Sequence, residues 1–175
     1  LKKADKLKIC DDTKVEVISD AENRQNENDN SMVLLVNHKG FKTLFTGDIS
    51  ADVEREIKNK IDILKVSHHG SETSTSCELL KNTEPRFAVI SAGVNNSYGH
   101  PHKVTLQSLE RHGIIYYMTS RDGEVDFKIY DDKLSFDTKN HEKDYYAYIL
   151  LMFINSIALY RAARENYELQ ENLPR

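Results

Sequence analysis

Four side chains with metal-binding or acid–base chemistry stand out in this sequence: Asp48, the adjacent pair His68 and His69, and His100. An aspartate oxygen can bridge two divalent ions, and a neutral imidazole nitrogen suits Zn²⁺, Mn²⁺ or Fe²⁺. Each residue also has a simpler interpretation, since Asp48 after a glycine could end a turn and the histidine pair could hydrogen-bond its own loop. Their positions in the predicted fold favour the metal-binding interpretation.

These residues follow three predicted strands, at 41–46, 63–67 and 86–91. A predicted helix separates each pair of strands, so the connections are crossovers and the strands are predicted to be parallel. The carboxyl ends of parallel strands share one edge of the sheet, which is where open α/β sheets bind ligands. The sequence therefore predicts one site at this edge.

Capping and periodicity predict the helices between these strands. Ser50 is predicted to cap a helix that buries the stripe Val53, Ile57 and Ile61. Thr75 and Glu78 have the spacing of a capping box and predict the start of a second helix. Pro101 suits the first turn of a third helix, and Gly113 suits the position just after its end.

Hydrophobic runs predict further strands at 15–19, 32–37, 114–119, 124–130 and 134–137. The runs at 32–37 and 41–46 predict a hairpin, residues 120–123 predict a turn between two strands, and the polar stretch 21–30 predicts a loop. The whole pattern predicts an α/β fold with a mixed sheet and flanking helices.

Size and charge narrow the range of functions. The chain has 175 residues and 20.2 kDa, which suits one ordinary domain with a real core. A net charge of −4 argues against a broad basic face for duplex nucleic acid, although a local phosphate site fits. Two cysteines are too few for a disulfide framework, and the polar start shows no secretory hydrophobic segment.

An apolar segment at 145–160 predicts a C-terminal helix, so we divide the chain into a domain at 1–140 and a helical extension at 141–175. At about 1.5 Å per residue the helix is shorter than the roughly 20 residues that span a bilayer. Three roles stay open for it: packing or docking to a protein partner, self-association, and membrane association.

Four motifs carry a family resemblance. They are Asn30–Leu34 (NSMVL), Leu44–Asp48 (LFTGD), Leu64–Ser71 (LKVSHHGS) and Asn96–Pro101 (NSYGHP). In this order and spacing they resemble the C-terminal half of a metallo-β-lactamase-fold hydrolase, and are most like the soluble domain of ComEC-type DNA-uptake proteins and their stand-alone relatives. The resemblance covers residues 15–137.

The resemblance implies an αββα sandwich, of which this chain supplies half, and a site with two zinc or manganese ions that activate a bridging hydroxide. It implies that Asp48 is the bridging carboxylate and that His69 or His68 is a ligand, the other histidine contacting substrate or supporting the site. His100 would contact a phosphate oxygen or the leaving group, with Ser71 and Asn96 as further substrate contacts. Two cations about 3.5–4 Å apart would stabilise the attacking and leaving oxygens of a phosphodiester.

The sequence departs from the superfamily in lacking its His-x-His-x-Asp-His ligand run. The chain, which begins with Leu1, is therefore expected to be either a piece of a longer protein or a degenerate member. Three functions follow: a phosphodiesterase or nuclease that processes DNA, a small-molecule ester, phosphoester or lactone hydrolase, and an inactive binding module. If the chain is a stand-alone protein, we expect it in the cytoplasm. If it is part of a ComEC-type protein, we expect it at the membrane.

Overall fold

A mixed sheet of seven strands is the centre of the computed structural model, which describes residues 2–19, 24–130 and 133–139. In sheet order the strands are β1 (Lys6–Cys10), β2 (Thr13–Ser19), β3 (Val33–His38), β4 (Phe41–Phe45), β5 (Ile63–Lys65), β6 (Phe87–Ile90) and β7 (Ile115–Met118). Strands β1 to β4 pair antiparallel, and β4 to β7 pair parallel. Strands β8 (Val125–Tyr130) and β9 (Lys133–Thr138) form a separate antiparallel pair.

The helices are α1 (Ala51–Glu54), α2 (Cys77–Thr83), α3 (Lys103–Arg111) and α4 (Thr119–Asp122), with 3-10 turns at Glu27–Asn30 and Ser67–Gly70. Residues of α1, α2 and α3 pack with one face of the sheet in the main core, which includes Val53, Leu79, Leu109, Leu44, Leu64 and Ala88. On the other face, β8 and β9 pack against Ile63, Phe87 and Tyr117. Burial of each large apolar side chain contributes roughly 1.5–3 kcal/mol.

The predicted fold class is confirmed: the sheet is mixed and helices flank it. The β3–β4 hairpin is confirmed, and so is the parallel run that brings the three predicted loops to one sheet edge. The register aligns Phe45 with Lys65 and Lys65 with Val89, so these three strands end at nearly the same level. Gly113 follows the end of α3 with φ +68°, as predicted.

Two helix starts are wrong in detail. The capping box at Thr75 and Glu78 does not form: Thr75 is buried with φ +57°, and the hydroxyl of Ser76 accepts the backbone N–H of Leu79 instead. Pro101 precedes the capping residue His102 rather than lying in the first turn of α3. Local spacing could not separate Thr75 from Ser76, because the choice depends on tertiary hydrogen bonds described below.

The first helix is shorter than its periodicity predicts. Ile57 and Ile61 are buried together with Val53, but α1 ends at Glu54. Ser50 occupies the capping position without a side-chain bond to the helix. The stripe thus identified core residues and overestimated the helix length, because irregular backbone can bury the same side chains.

Three loop and strand predictions also change. Residues 120–123 do not link two paired strands, because residues 119–122 form α4 and β8 pairs with β9 rather than with β7. Within the predicted loop 21–30, residues 27–30 form a 3-10 turn. Strand β1 was not predicted, since its five residues are all exposed and leave no buried pattern.

Among the described residues, no helix is long and apolar enough to cross a membrane. The predicted helix at 145–160 lies outside the described residues, as does the whole of the predicted extension 141–175. The division at residue 140 therefore stays a prediction.

Candidate metal centre

Asp48 is held by its backbone at the end of β4. Its N–H donates to the hydroxyl of Ser31 at 3.2 Å, and the preceding carbonyl of Gly47 accepts the N–H of His68 at 3.0 Å. Gly47 has φ +58°, and a Cβ there would lie 2.6 Å from Cβ of Ser31. Glycine is therefore required by conformation and by space, and the Thr-Gly-Asp turn is fixed without use of the Asp48 carboxylate.

The histidine pair lies in a strained turn after β5. His68 has φ +46° and His69 has φ +54°, which is left-handed backbone that non-glycine residues rarely adopt. Gly70 follows with φ +84°, and a Cβ there would lie 2.6 Å from Cβ of Pro101. Such residues cost of order 1–3 kcal/mol each and persist where the surrounding structure enforces them, which is typical of functional sites.

His69 faces Asp48. Its Nε2 lies 3.7 Å from Oδ1 of Asp48, and both side chains are partly exposed. Its Nδ1 lies 2.6 Å from the backbone carbonyl of Ser91. Because a carbonyl only accepts, Nδ1 carries the proton, and in the neutral ring Nε2 presents a lone pair beside the carboxylate.

His68 and His100 form a second group of rings beside this pair. Their centroids are 5.7 Å apart in an edge arrangement, and His100 lies 4.9 Å from His102. Burial and the neighbouring imidazoles lower the pKa of His100, and the carboxylate of Asp48 only partly opposes them. A lowered pKa favours the neutral imidazole. Contact of His100 with a phosphate oxygen or with the leaving group stays a prediction.

Asn96 and Ser71 are both engaged inside their loops. The amide nitrogen of Asn96 donates to the carbonyls of Gly93 and His100, and its oxygen accepts the N–H of His100 at 2.9 Å. The Ser71 hydroxyl is buried and hydrogen-bonded to Thr73. Asn96 therefore fixes the position of His100, and the substrate contacts of both residues stay predictions.

Glu54 supports the histidine turn and was missed by sequence reasoning. Its side chain is 0% exposed. One carboxylate oxygen accepts the Ser67 hydroxyl at 2.8 Å and the Thr75 N–H at 2.7 Å, and the other accepts the Ser76 N–H at 2.8 Å. A buried carboxylate thus joins α1, the residue before the histidine pair, and the start of α2.

Asp29 has a similar supporting role. It is buried, and its two oxygens accept the backbone N–H of Ser50 at 2.7 Å and the Ser50 hydroxyl at 3.1 Å. This contact explains why Ser50 does not cap α1 with its own side chain. In the sequence Asp29 stands in a polar run, and no local signal separates it from its exposed neighbours.

Lys65 places a cationic side chain close to Asp48. Its Nζ donates to the carbonyl of Val66 at 2.8 Å. Burial lowers the pKa of Lys65, and the negative charge of Asp48 acts in the opposite direction. Lys65 was not singled out from the sequence, where it is one charged residue at the end of an apolar strand.

The donor set of Asp48 and His69 fits a divalent metal ion. With ligand bonds of roughly 2.0–2.2 Å, two ligand atoms on one ion lie about 3–4 Å apart, which matches the observed separation. A metal-binding histidine also typically donates its other ring N–H to a carbonyl or carboxylate, as His69 does. Within the described parts of the chain, no group of three or more His, Cys, Asp and Glu side chains forms a metal-binding set, so this pair is a partial one.

Three bacterial proteins with names from competence and recombination are similar to this chain. ComE operon protein 3 of Bacillus subtilis is 38% identical over 134 residues, covering 73% of this chain and 17% of that protein. Recombination protein 2 of Haemophilus influenzae is 37% identical over 111 residues, covering 62% and 14%. Competence protein ComA of Neisseria gonorrhoeae is 35% identical over 112 residues, covering 59% and 16%.

The chain thus corresponds to less than a fifth of the length of these relatives. No protein-family model matches it. A solved structure of a protein named as a metal-dependent hydrolase, from Parabacteroides distasonis, superposes with a TM-score of 0.49 at 16% identity, covering 69% of this chain and 56% of that chain.

Proposed function

We propose that this chain supplies part of the active site of a metal-dependent phosphodiesterase that acts on DNA, as a segment or relative of competence proteins. The observation that carries the proposal is the pairing of Asp48 with His69, whose tautomer is set by the Ser91 carbonyl. Similarity to three proteins with competence and recombination names supports DNA as the substrate.

Asp48 and His69 are the residues proposed to hold the metal. The carboxylate and Nε2 of the imidazole are both available, because their supporting contacts use the Asp48 backbone and the other ring nitrogen. A bound divalent ion would lower the pKa of water and polarise a phosphoryl oxygen. The remaining ligands would come from outside this chain, since the His-x-His-x-Asp-His run is absent from it.

The other side chains of the site have roles with the substrate. His100, positioned by Asn96, would donate a ring N–H to a phosphate oxygen, with His68 beside it. The Lys65 ammonium would add positive charge where the phosphodiester lies, and it is oriented by the Val66 carbonyl. These residues would orient the ester.

Hydrolysis assays test the proposal. This chain, combined with a segment that supplies the missing His-x-His-x-Asp-His run, is assayed with added Mn²⁺ or Zn²⁺ on a labelled single-stranded oligonucleotide and on bis-p-nitrophenyl phosphate. We expect the strand to be cleaved. EDTA should abolish this cleavage, and His69→Ala should lower its rate by at least about 100-fold. The matched control is His112→Ala, because this histidine bonds the Ser108 carbonyl at the end of α3 and should leave the rate unchanged.

Two other results would replace the proposal. Cleavage of the small ester without cleavage of the strand would favour a small-molecule hydrolase, which the acidic net charge also suits. Absence of both activities, with either metal, would favour a non-catalytic module. Equal loss in His69→Ala and His112→Ala would remove the assignment of His69.

A further inference from the structure

The loop between β6 and α3 presents an aromatic ring to solvent at the edge of the candidate metal centre. The Tyr98 side chain belongs to a residue that is 78% exposed, and Val94 in the same loop is also exposed. An exposed aromatic ring offers a large surface for contact with a ligand, and Tyr98 offers it beside the candidate site.

The loop that carries Tyr98 is held in place by hydrogen bonds. Asn96 bonds the backbone on both sides of the ring, and the N–H of Gly99 donates to the Asn96 carbonyl. At the start of the loop, Ala92 exchanges two hydrogen bonds with the hydroxyl of Thr119. The exposed ring is thus presented by a fixed loop, which lowers the entropy lost when a ligand binds.

Tyr98 is stacked on the imidazole group of the site. Its ring lies 5.7 Å from the His100 ring at an interplanar angle of 24°, which is an offset stack. His100 in turn lies 5.7 Å from His68, and the adjacent His69 faces Asp48. The ring of Tyr98 is therefore separated from the histidine turn by one imidazole.

We propose that Tyr98 is the stacking residue for the nucleobase next to the bound phosphodiester, which makes this a site for single-stranded nucleic acid. The inference rests on the proposed function. The outer face of the ring is available to a planar ligand, and tyrosine and histidine are side chains on which unpaired bases stack. A base in a duplex has both faces covered by its neighbours, so the stack selects an unpaired strand.

Strand binding measured without turnover tests this proposal. The full chain is titrated, in EDTA, into a fluorescein-labelled thymidine homopolymer and an abasic homopolymer of equal length, and anisotropy is recorded. We expect the thymidine strand to bind more tightly. We expect Tyr98→Ala to lower its affinity roughly 5- to 150-fold, the loss of one base stack.

Two variants serve as controls. Tyr98→Phe keeps the ring and should keep the preference for the thymidine strand. Tyr130→Ala removes another exposed tyrosine, on β8, and should leave both affinities unchanged. These controls separate base stacking from loss of a hydroxyl and from a general effect of tyrosine removal.

The proposal is overturned if Tyr98→Ala binds the thymidine strand as wild type does, or weakens both strands equally. It is also overturned if wild type does not distinguish the strands or binds neither. Because EDTA suppresses turnover, this failure is distinct from failure of the proposed function. If the protein cleaves DNA but Tyr98→Ala leaves strand binding unchanged, only the stacking proposal fails. If the chain prefers the thymidine strand but no cleavage is found, only the proposed hydrolase function fails.

Discussion

Replacement of Asp48 with asparagine is expected to lower the zinc affinity of this chain by at least about 100-fold, and to lower by a similar factor the metal-dependent hydrolysis that the chain supports once the missing ligands are supplied. Loss of a residue that only supports a ligand costs roughly 10–100-fold, so loss of a charged ligand should cost at least as much. The fold should persist, because Ser31 and His68 contact the backbone at this turn rather than the carboxylate.

The matched control for Asp48 is Asp52→Asn. Asp52 lies four residues further on, on the exposed side of α1, where its ion pair with Arg55 has a separation of 3.1 Å. Such a surface pair contributes little. A competition titration against a chromophoric chelator gives the affinity, and a loss of less than about tenfold in Asp48→Asn would contradict the assignment.

Replacement of Glu54 with glutamine has the largest expected effect on stability. The carboxylate accepts three hydrogen bonds in full burial, and the amide of glutamine offers a donor where one acceptor oxygen stood. The glutamine amide has two possible orientations. In one, its oxygen accepts from Ser67 and Thr75, but its nitrogen faces the N–H of Ser76, so two donors oppose each other. In the other, its nitrogen faces the N–H of Thr75, which then has no acceptor. We expect a loss of about 2–5 kcal/mol in the free energy of unfolding.

Urea unfolding measures this loss, with Glu56→Gln as the control. Glu56 is close in sequence but half exposed, and it contacts Lys3 at 3.3 Å across the surface. Its replacement should change the free energy of unfolding by less than about 0.5 kcal/mol. Equal stability of the two variants would mean that the Glu54 contacts do not support the histidine turn.

The sequence predicted that Asp48 and the histidine pair lie close together, because this follows from the order and direction of the strands. Crossover connections make β4, β5 and β6 parallel, and parallel strands bring their following loops to one edge. Asp48 and His69 therefore meet as the strand order requires. The sequence left His68 and His69 as alternatives, and the structure places His69 beside Asp48 and His68 beside His100.

The residues that the sequence missed are those defined by distant contacts. Glu54 stands in the first turn of a helix, where a carboxylate is ordinarily explained by the helix dipole, yet it is buried against residues at 67, 75 and 76. Asp29 stands in a polar run and supports Ser50 across 21 positions. Periodicity and capping rules describe only neighbours in sequence, so they contain no signal for such contacts.

The association of β8 with β9 was missed for the same reason. The strands at 124–130 and 134–137 were recognised, including the half-buried alternation of Val125, Phe127 and Ile129. Their packing on Phe87 and Tyr117 depends on aromatic contacts, such as Tyr117 with Phe136 at 4.8 Å. The alternation of apolar residues identified these two strands, whereas their pairing with each other depends on tertiary packing.

The most direct test of a metal centre at Asp48 and His69 is paramagnetic broadening of backbone amide NMR signals by substoichiometric Mn²⁺. The measurement does not require a complete ligand set, since weak binding also broadens signals from nearby nuclei. We expect the backbone amide signals of Asp48 and His69 to broaden first, and Asp48→Asn to remove this effect. Broadening that begins at surface carboxylates such as Asp11 or Glu84, with Asp48 and His69 unaffected, would contradict this expectation.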